Sequence, residues 1–162
     1  MVAGTVTTEY VSQVETKRLW NAMVKDGHNL YPKALHEFHI SSVTLLHGDG
    51  GVGTVRQLNF TSANKDFSYI KERLDVIDEE KMVHKYAAIE GGSLGKKLSA
   101  LNFELKFVRR EEGGCVLTWI CNYETLPGAP DGEARVDEIK KMDDAMFRKI
   151  EKYLISNPDL CC

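Results

Sequence analysis

No stretch of this chain is apolar enough over the roughly 18 residues that a bilayer requires. Its start, Met1-Val2-Ala3-Gly4-Thr5, has no basic segment ahead of an apolar core, so neither a membrane span nor a secretory signal is expected. Cysteine is scarce. The four present, Cys115, Cys121, Cys161 and Cys162, show no C-x-x-C and no metal-ligand spacing, which argues against a disulfide scaffold and a zinc module. Cys115 and Cys121 share one side of a strand and are not placed to bridge, so reduced thiols in a cytoplasmic setting are the reading. The Cys161-Cys162 pair reads as a frayed tail rather than a lipidation site. An excess of one charge is missing too: 21 basic against 24 acidic residues give a net charge of −3, no footprint for nucleic acid or an anionic membrane. The most telling absence follows Gly48-Asp49-Gly50-Gly51-Val52-Gly53. Such a loop looks like a phosphate cradle, because its backbone can turn several N–H groups toward one anion. A P-loop, however, ends in Gly-Lys-Ser/Thr and opens a helix. Here Gly53-Thr54-Val55-Arg56 leads into a strand-like run, which argues against nucleotide hydrolysis.

What is present fits one α+β domain over residues 1–162, 43% hydrophobic and 28% charged. Residues 5–13 alternate and are β-branched, predicting a strand. Glu15 to Asp26 carries Leu19, Trp20, Met23 and Val24 at helical spacing and stops at Gly27. A second short helix spans 29–35, entered through Pro32 in its first turn. Strand patterns follow at 38–46, 54–60, 66–75, 82–89, 98–109 and 115–123, with turns between them, so antiparallel hairpins are expected. After the Pro127–Gly132 loop one long helix runs from Glu133 to Ser156, stopped by Asn157-Pro158. A curved antiparallel sheet needs something to fill its concave side. The long helix, with Ile139, Met142, Met146, Ile150 and Tyr153 near one face, is the candidate.

Alternation assigns each strand an inward set. In the last strand it is Cys115, Leu117, Trp119, Cys121 and Tyr123; in 98–109 it is Leu101, Phe103, Leu105 and Phe107. Met82, His84, Tyr86 and Ala88 fall together, as do Arg56, Leu58 and Phe60. In 66–75 the bulk of Phe67 and Tyr69 favours the set with Lys71 and Arg73 inward, against Ile70 and Leu74. The expected interior is aromatic and sulfur-rich with a few polar atoms. That mixture suits a flat, mostly apolar small molecule, since tyrosine offers a plate with one hydrogen-bonding handle and methionine adapts to varied shapes.

Taken together, Asp26-Gly27-His28-Asn29-Leu30-Tyr31-Pro32-Lys33, Ile40-Ser41-Ser42-Val43, the glycine loop with Thr54, Tyr69-Ile70-Lys71-Glu72-Arg73-Leu74-Asp75, Ile89-Glu90-Gly91-Gly92 and Ile150-Glu151-Lys152-Tyr153-Leu154 carry a resemblance. The chain resembles, almost end to end, the pathogenesis-related class-10 plant proteins, the family of the major birch pollen allergen. The resemblance implies a helix-grip fold: seven curved antiparallel strands around a C-terminal helix, two short helices in a V, and a large cavity. It implies a cytosolic binder of amphipathic aromatic or sterol-like molecules such as cytokinins and flavonoids, related to defence. No cofactor or metal is expected, and a monomer is. The glycine loop, Gly48, Gly50, Gly51 and Gly53, would be a turn bordering the cavity. Cavity positions carried over or read from parity are Tyr31, Phe60, Phe67, Tyr69, His84, Tyr86, Leu101, Phe103, Leu105, Trp119, Tyr123, Ile139, Met142 and Met146.

Two enzymatic alternatives come with the resemblance. Some relatives are credited with ribonuclease activity, and the matching positions here are Arg56, Glu90, Glu151 and Tyr153. An acidic chain without a basic groove is a poor RNA binder, and Glu90 reads instead as an acceptor ordering the glycine loop. Other relatives, norcoclaurine synthase among them, became synthases using a buried lysine. Lys71 is the sole inward lysine by parity, and His84 the one candidate proton shuttle.

Overall fold

The computed structural model describes residues 3–128 and 132–161, with the side chains of 132–135 outside that description. Seven strands form one sheet: β1 (Ala3–Ser12), β2 (Ile40–His47), β3 (Val55–Phe60), β4 (Tyr69–Asp78), β5 (Val83–Gly91), β6 (Leu98–Arg109) and β7 (Cys115–Thr125). Their order is β1-β7-β6-β5-β4-β3-β2, and each adjacent pair is antiparallel. β1 therefore pairs with the last strand, from Ala3 opposite Glu124 to Ser12 opposite Cys115. The register shifts near Leu45, Leu74 and Leu98, and bulges of this kind bend a sheet and deepen its twist.

Between β1 and β2 the chain crosses from one sheet edge to the other through α1 (Thr16–Trp20), which runs on into a π-helical turn at Asn21–Lys25, and α2 (Gly27–Ala34). Gly27 starts α2 rather than ending the helix before it, and Pro32 stands in the helix interior instead of its first turn. Local hydrogen bonding explains the earlier start: the Asp26 carbonyl accepts from the N–H groups of Asn29 and Leu30, and its carboxylate from Asn29 Nδ2 at 2.7 Å. Leu19, Trp20, Met23 and Leu35 are fully buried, with Trp20 edge-on to Phe107 at 5.3 Å.

The long helix α3 (Gly132–Ser156) closes the concave side. Its buried stripe is Asp143, Phe147, Ile150 and Leu154, while Met142 is half exposed. The inward face is thus wider than expected: Ile139, Met142 and Met146 line the interior beside this stripe, and Tyr153 packs on the core. The stripe steps by four, three and four residues, and a carboxylate at its first step hides it from a hydrophobicity reading. Arg18 ties the end of α3 to α1: its guanidinium donates to the carbonyls of Leu154 at 2.6 Å, Asn157 at 2.5 Å and Leu160 at 2.7 Å. The tail is consequently held as far as Cys161, which packs on the core; Cys162 lies outside the described residues, as do 129–131 of the proline–glycine loop.

Strand parity follows the sequence in β3, β5, β6 and β7, and reverses in β4. Glu72 and Leu74 are buried there with Ile70 beside them, while Tyr69, Lys71 and Arg73 face outward. Phe67 precedes the strand, so its bulk says nothing about the alternation within it. Glu72 turns inward because Arg56 stands directly opposite on β3.

Candidate functional site

Between the concave sheet and α3 lies a cavity of about 600 Å3. β3 contributes Leu58 and Phe60, β4 Ile70 and Glu72, and β5 Tyr86. β6 contributes Leu98, Leu101 and Phe103, β7 Trp119 and Cys121, and α3 Ile139, Met142, Asp143 and Met146. Phe38, Ile40 and Phe67 complete the apolar wall, and charged residues such as Glu37, Lys65, Lys96 and Glu138 ring the mouth. Two aromatic pairs stiffen the wall: Phe60 meets Phe67 edge-on at 5.1 Å, and Tyr86 stacks on Phe103 at 4.9 Å.

Of the cavity residues expected from sequence, Phe60, Phe67, Tyr86, Leu101, Phe103, Trp119, Ile139, Met142 and Met146 stand on this wall. Five do not. Tyr69 is on the outer face, its hydroxyl donating to Glu90 at 2.8 Å. Tyr31 is buried beneath the cavity and donates to the Met23 carbonyl at 3.0 Å. Leu105 is sealed in the core. Tyr123 packs its ring against Gly4 at the β1–β7 end. His84 lies behind Tyr86, stacked on it at 5.2 Å. Sequence reasoning missed Ile70 and Glu72, because of the β4 parity, and Asp143, whose spacing to Phe147 and Ile150 was the available signal.

The polar groups of the interior are few. Arg56 is 3% exposed and donates to Glu72 Oε1 through Nε at 2.9 Å and Nη2 at 2.8 Å. Its guanidinium lies 5.5 Å from the Tyr31 ring and 5.1 Å from the Tyr86 ring. Burial works against the Arg56 charge, but Glu72 and the two tyrosines outweigh it and hold its pKa above the ordinary value. Burial, then Glu72, drives the Tyr86 phenol well up. Asp143, 5% exposed, is pushed up to about 7 by burial and then by Asp144. Burial lowers His84 to about 4, against the Val76 carbonyl, which accepts from its Nδ1 at 2.9 Å. His84 is thus neutral, with Nδ1 protonated.

The catalytic sets drawn from resemblance are not assembled. Lys71 pairs with Glu90 at 2.9 Å outside the sheet, which raises the lysine's pKa and lowers the carboxylate's. Glu90 therefore serves Lys71 and Tyr69, not the glycine loop. Glu151 pairs with Arg148 at 3.1 Å, Tyr153 packs on the core, and Arg56 is committed to Glu72. The glycine loop stands away from the cavity lining. Four of its N–H groups are used internally, Gly50 on Thr54 Oγ1, Gly51 on Asp49 Oδ1, Gly53 on the Leu74 carbonyl and Thr54 on the Gly51 carbonyl. That occupancy removes the anion cradle. Among the described residues no cluster of His, Cys, Asp or Glu is placed to hold a metal, and no helix is long and apolar enough to cross a membrane.

A curved antiparallel sheet gripping one long helix around an apolar cavity defines a helix-grip protein. The chain belongs to the Pathogenesis-related protein Bet v 1 family, whose pattern matches residues 1–157. It is 35% identical to "Pathogenesis-related protein 1" of Asparagus officinalis over 158 residues, 98% of either chain. It is 33% identical to the major strawberry allergen Fra a 1.07 of Fragaria ananassa over 155 residues, 96% of either chain. Among solved structures, Ara h 8.0201 superposes with a TM-score of 0.81 at 27% identity, covering 96% of this chain and 99% of that one. Norcoclaurine synthase from Thalictrum flavum shares the fold with a TM-score of 0.74 at 21% identity, covering 95% and 87%.

Proposed function

We propose that this chain is an intracellular carrier or buffer that takes one amphipathic, ring-bearing small molecule into its internal cavity. The observation that carries the reading is the cavity itself: about 600 Å3, apolar on most of its wall, within the range of ordinary ligand sites. Burying a ring system of ~200 Å2 contributes about 5 kcal/mol before ordering costs, and a few polar contacts bring the affinity to the micromolar range. Cytokinins, flavonoids and sterol-like molecules all fit that description. Binding without turnover is favoured because His84 and Lys71, the residues a catalytic reading relied on, both stand off the cavity.

The test is uptake of the neutral fluorophore N-phenyl-1-naphthylamine. Micromolar binding is expected in the wild type and its loss in Leu101→Trp, which fills the cavity, with cooperative thermal unfolding retained in both. No uptake by the wild type, or undiminished uptake by the filled variant, rejects the carrier reading.

A further inference from the structure

Two polar atoms on the cavity wall have no hydrogen-bond partner among the described residues: Oδ2 of Asp143 and Nε1 of Trp119. Their residues are 5% and 3% exposed, so neither atom is served by bulk water in the ordinary way. A buried acceptor or donor left unmade is costly to the fold, more so for a group that ionises. Neither can be explained as part of the Arg56–Glu72 pair, which is closed on itself at 2.8 Å. The cations at the mouth are also engaged elsewhere: Lys65 and Lys96 donate to the backbone carbonyls of Ser62 and Asp66, Lys97 faces Glu138 at 3.7 Å, and Lys149 pairs with Glu37 at 2.7 Å. Apart from Arg56, which is committed to Glu72, the deep wall among the described residues thus presents a carboxyl with a free oxygen and no cation.

Resting on the carrier reading, we propose that Asp143 is the anchor for a ligand bearing a protonated amine, with the Trp119 indole N–H donating to an acceptor atom on the same molecule. The ligand's ammonium donates to Asp143 Oδ2, its ring system fills the space between Phe103 and Met146, and an ether or carbonyl oxygen receives the indole N–H. Charge selection follows from desolvation. An ammonium that leaves water for an apolar cavity is tolerated only beside an opposite charge, and an anion beside Asp143 is not tolerated at all. The groups that face Asp143 from the packed elements are Tyr10 on β1, Tyr86 on β5 and Cys121 on β7, with Asp144 beside it on α3. Burial raises Tyr10 and Tyr86 and pushes Cys121 up to about 12, so these three keep their protons between pH 5 and 8. Asp143, held near 7 in the free protein, changes over that range, and a bound ammonium draws its proton off.

The experiment displaces N-phenyl-1-naphthylamine with 5-methoxytryptamine, with its neutral counterpart 5-methoxytryptophol, and with anionic 5-methoxyindole-3-acetate. The wild type at pH 8 is expected to prefer the amine over the alcohol by roughly tenfold or more, the scale of a hydrogen bond to a charged group, and to reject the acid. That preference should fall away toward pH 5. Asp143→Asn keeps the shape and should erase both the preference and its pH dependence, while Asp144→Asn retains the preference and moves the pH at which it fades downward, because Asp144 helps to raise Asp143. His39 also borders the mouth, so the pH effect is read as the difference between wild type and Asp143→Asn. Equal affinity for amine and alcohol, or a preference that survives in Asp143→Asn, overturns the anchor while fluorophore uptake leaves the carrier reading standing. Absence of fluorophore uptake overturns both.

Discussion

Removing the Arg56 side chain tests the energetic centre of this interior. In Arg56→Met the Glu72 carboxylate, 7% exposed, loses its partner at 2.8 Å and remains buried. Breaking one half of a buried pair costs about 3–5 kcal/mol, most of it the uncompensated charge. Losing the guanidinium between Tyr31 and Tyr86 adds to this, but the contacts share one group and do not sum. A net loss of about 4 kcal/mol is a large part of the 5–15 kcal/mol typical of a domain. With a urea slope near ~2 kcal/mol per molar, the midpoint should fall by about 2 M. Glu72→Leu strands the guanidinium and should lose a similar amount. The double variant replaces both by apolar groups and should recover at least ~2 kcal/mol relative to the sum of the singles. An Arg56→Met variant within about 1 kcal/mol of wild type, or singles that simply add, would refute the argument.

Other outcomes follow from the same interior. His84, ordinarily near 6.5, is pushed down to about 4, so the unfolded chain takes the proton first; stability is full above 6.5 and should drain by about 3 kcal/mol as pH falls to 4, a slope that His84→Phe flattens in urea titrations. Asp143 acts oppositely: raised from 3.8 to about 7, it favours the fold below 3.8 and loses that contribution as pH rises through 7. Asp143→Asn should therefore stabilise the ligand-free protein by up to about 4 kcal/mol at pH 8 and hardly at all at pH 4. In the glycine loop, Gly48→Ala meets Thr54 Oγ1 at 2.5 Å and its Cα at 2.9 Å at a φ of +84°, whereas Gly53→Ala has the same kind of φ, +88°, and open space. Thermal melts should show Gly48→Ala losing at least twice as much as Gly53→Ala, whose loss is the backbone strain of about 1 kcal/mol; equal losses would mean that the Thr54 contact relaxes freely.

The legible parts of the fold were those where chemistry and geometry point the same way. In β7 the odd positions, with Leu117, Trp119 and Tyr123, outweigh the even ones in bulk, so that set could be turned inward without knowing the neighbours. β4 defeats that logic because its inward set includes Glu72. A carboxylate in a strand reads as solvent-facing unless its partner is known, and Arg56 is a match only through the β3–β4 register, which no local pattern reveals. Tyr69 is the mirror case, an aromatic drawn outward by Glu90 and Lys71. The stripe of α3 was obscured in the same way by Asp143. Misreadings therefore collect around buried charges, the groups that local hydrophobicity prices wrongly and that a binding cavity needs.

The pairing of β1 with β7 has a kinetic side. Its register joins Ala3 to Glu124, and Arg18 closes onto carbonyls as far along as Leu160. Contacts between such distant positions require most of the chain's freedom to be surrendered before they return anything. Refolding should thus be slow, in the milliseconds-to-seconds range of topologies built on non-local pairing. The hairpins from β2 to β7 can form by local zipping; β1 and the α1–α3 clasp have to wait for both ends of the sequence to meet.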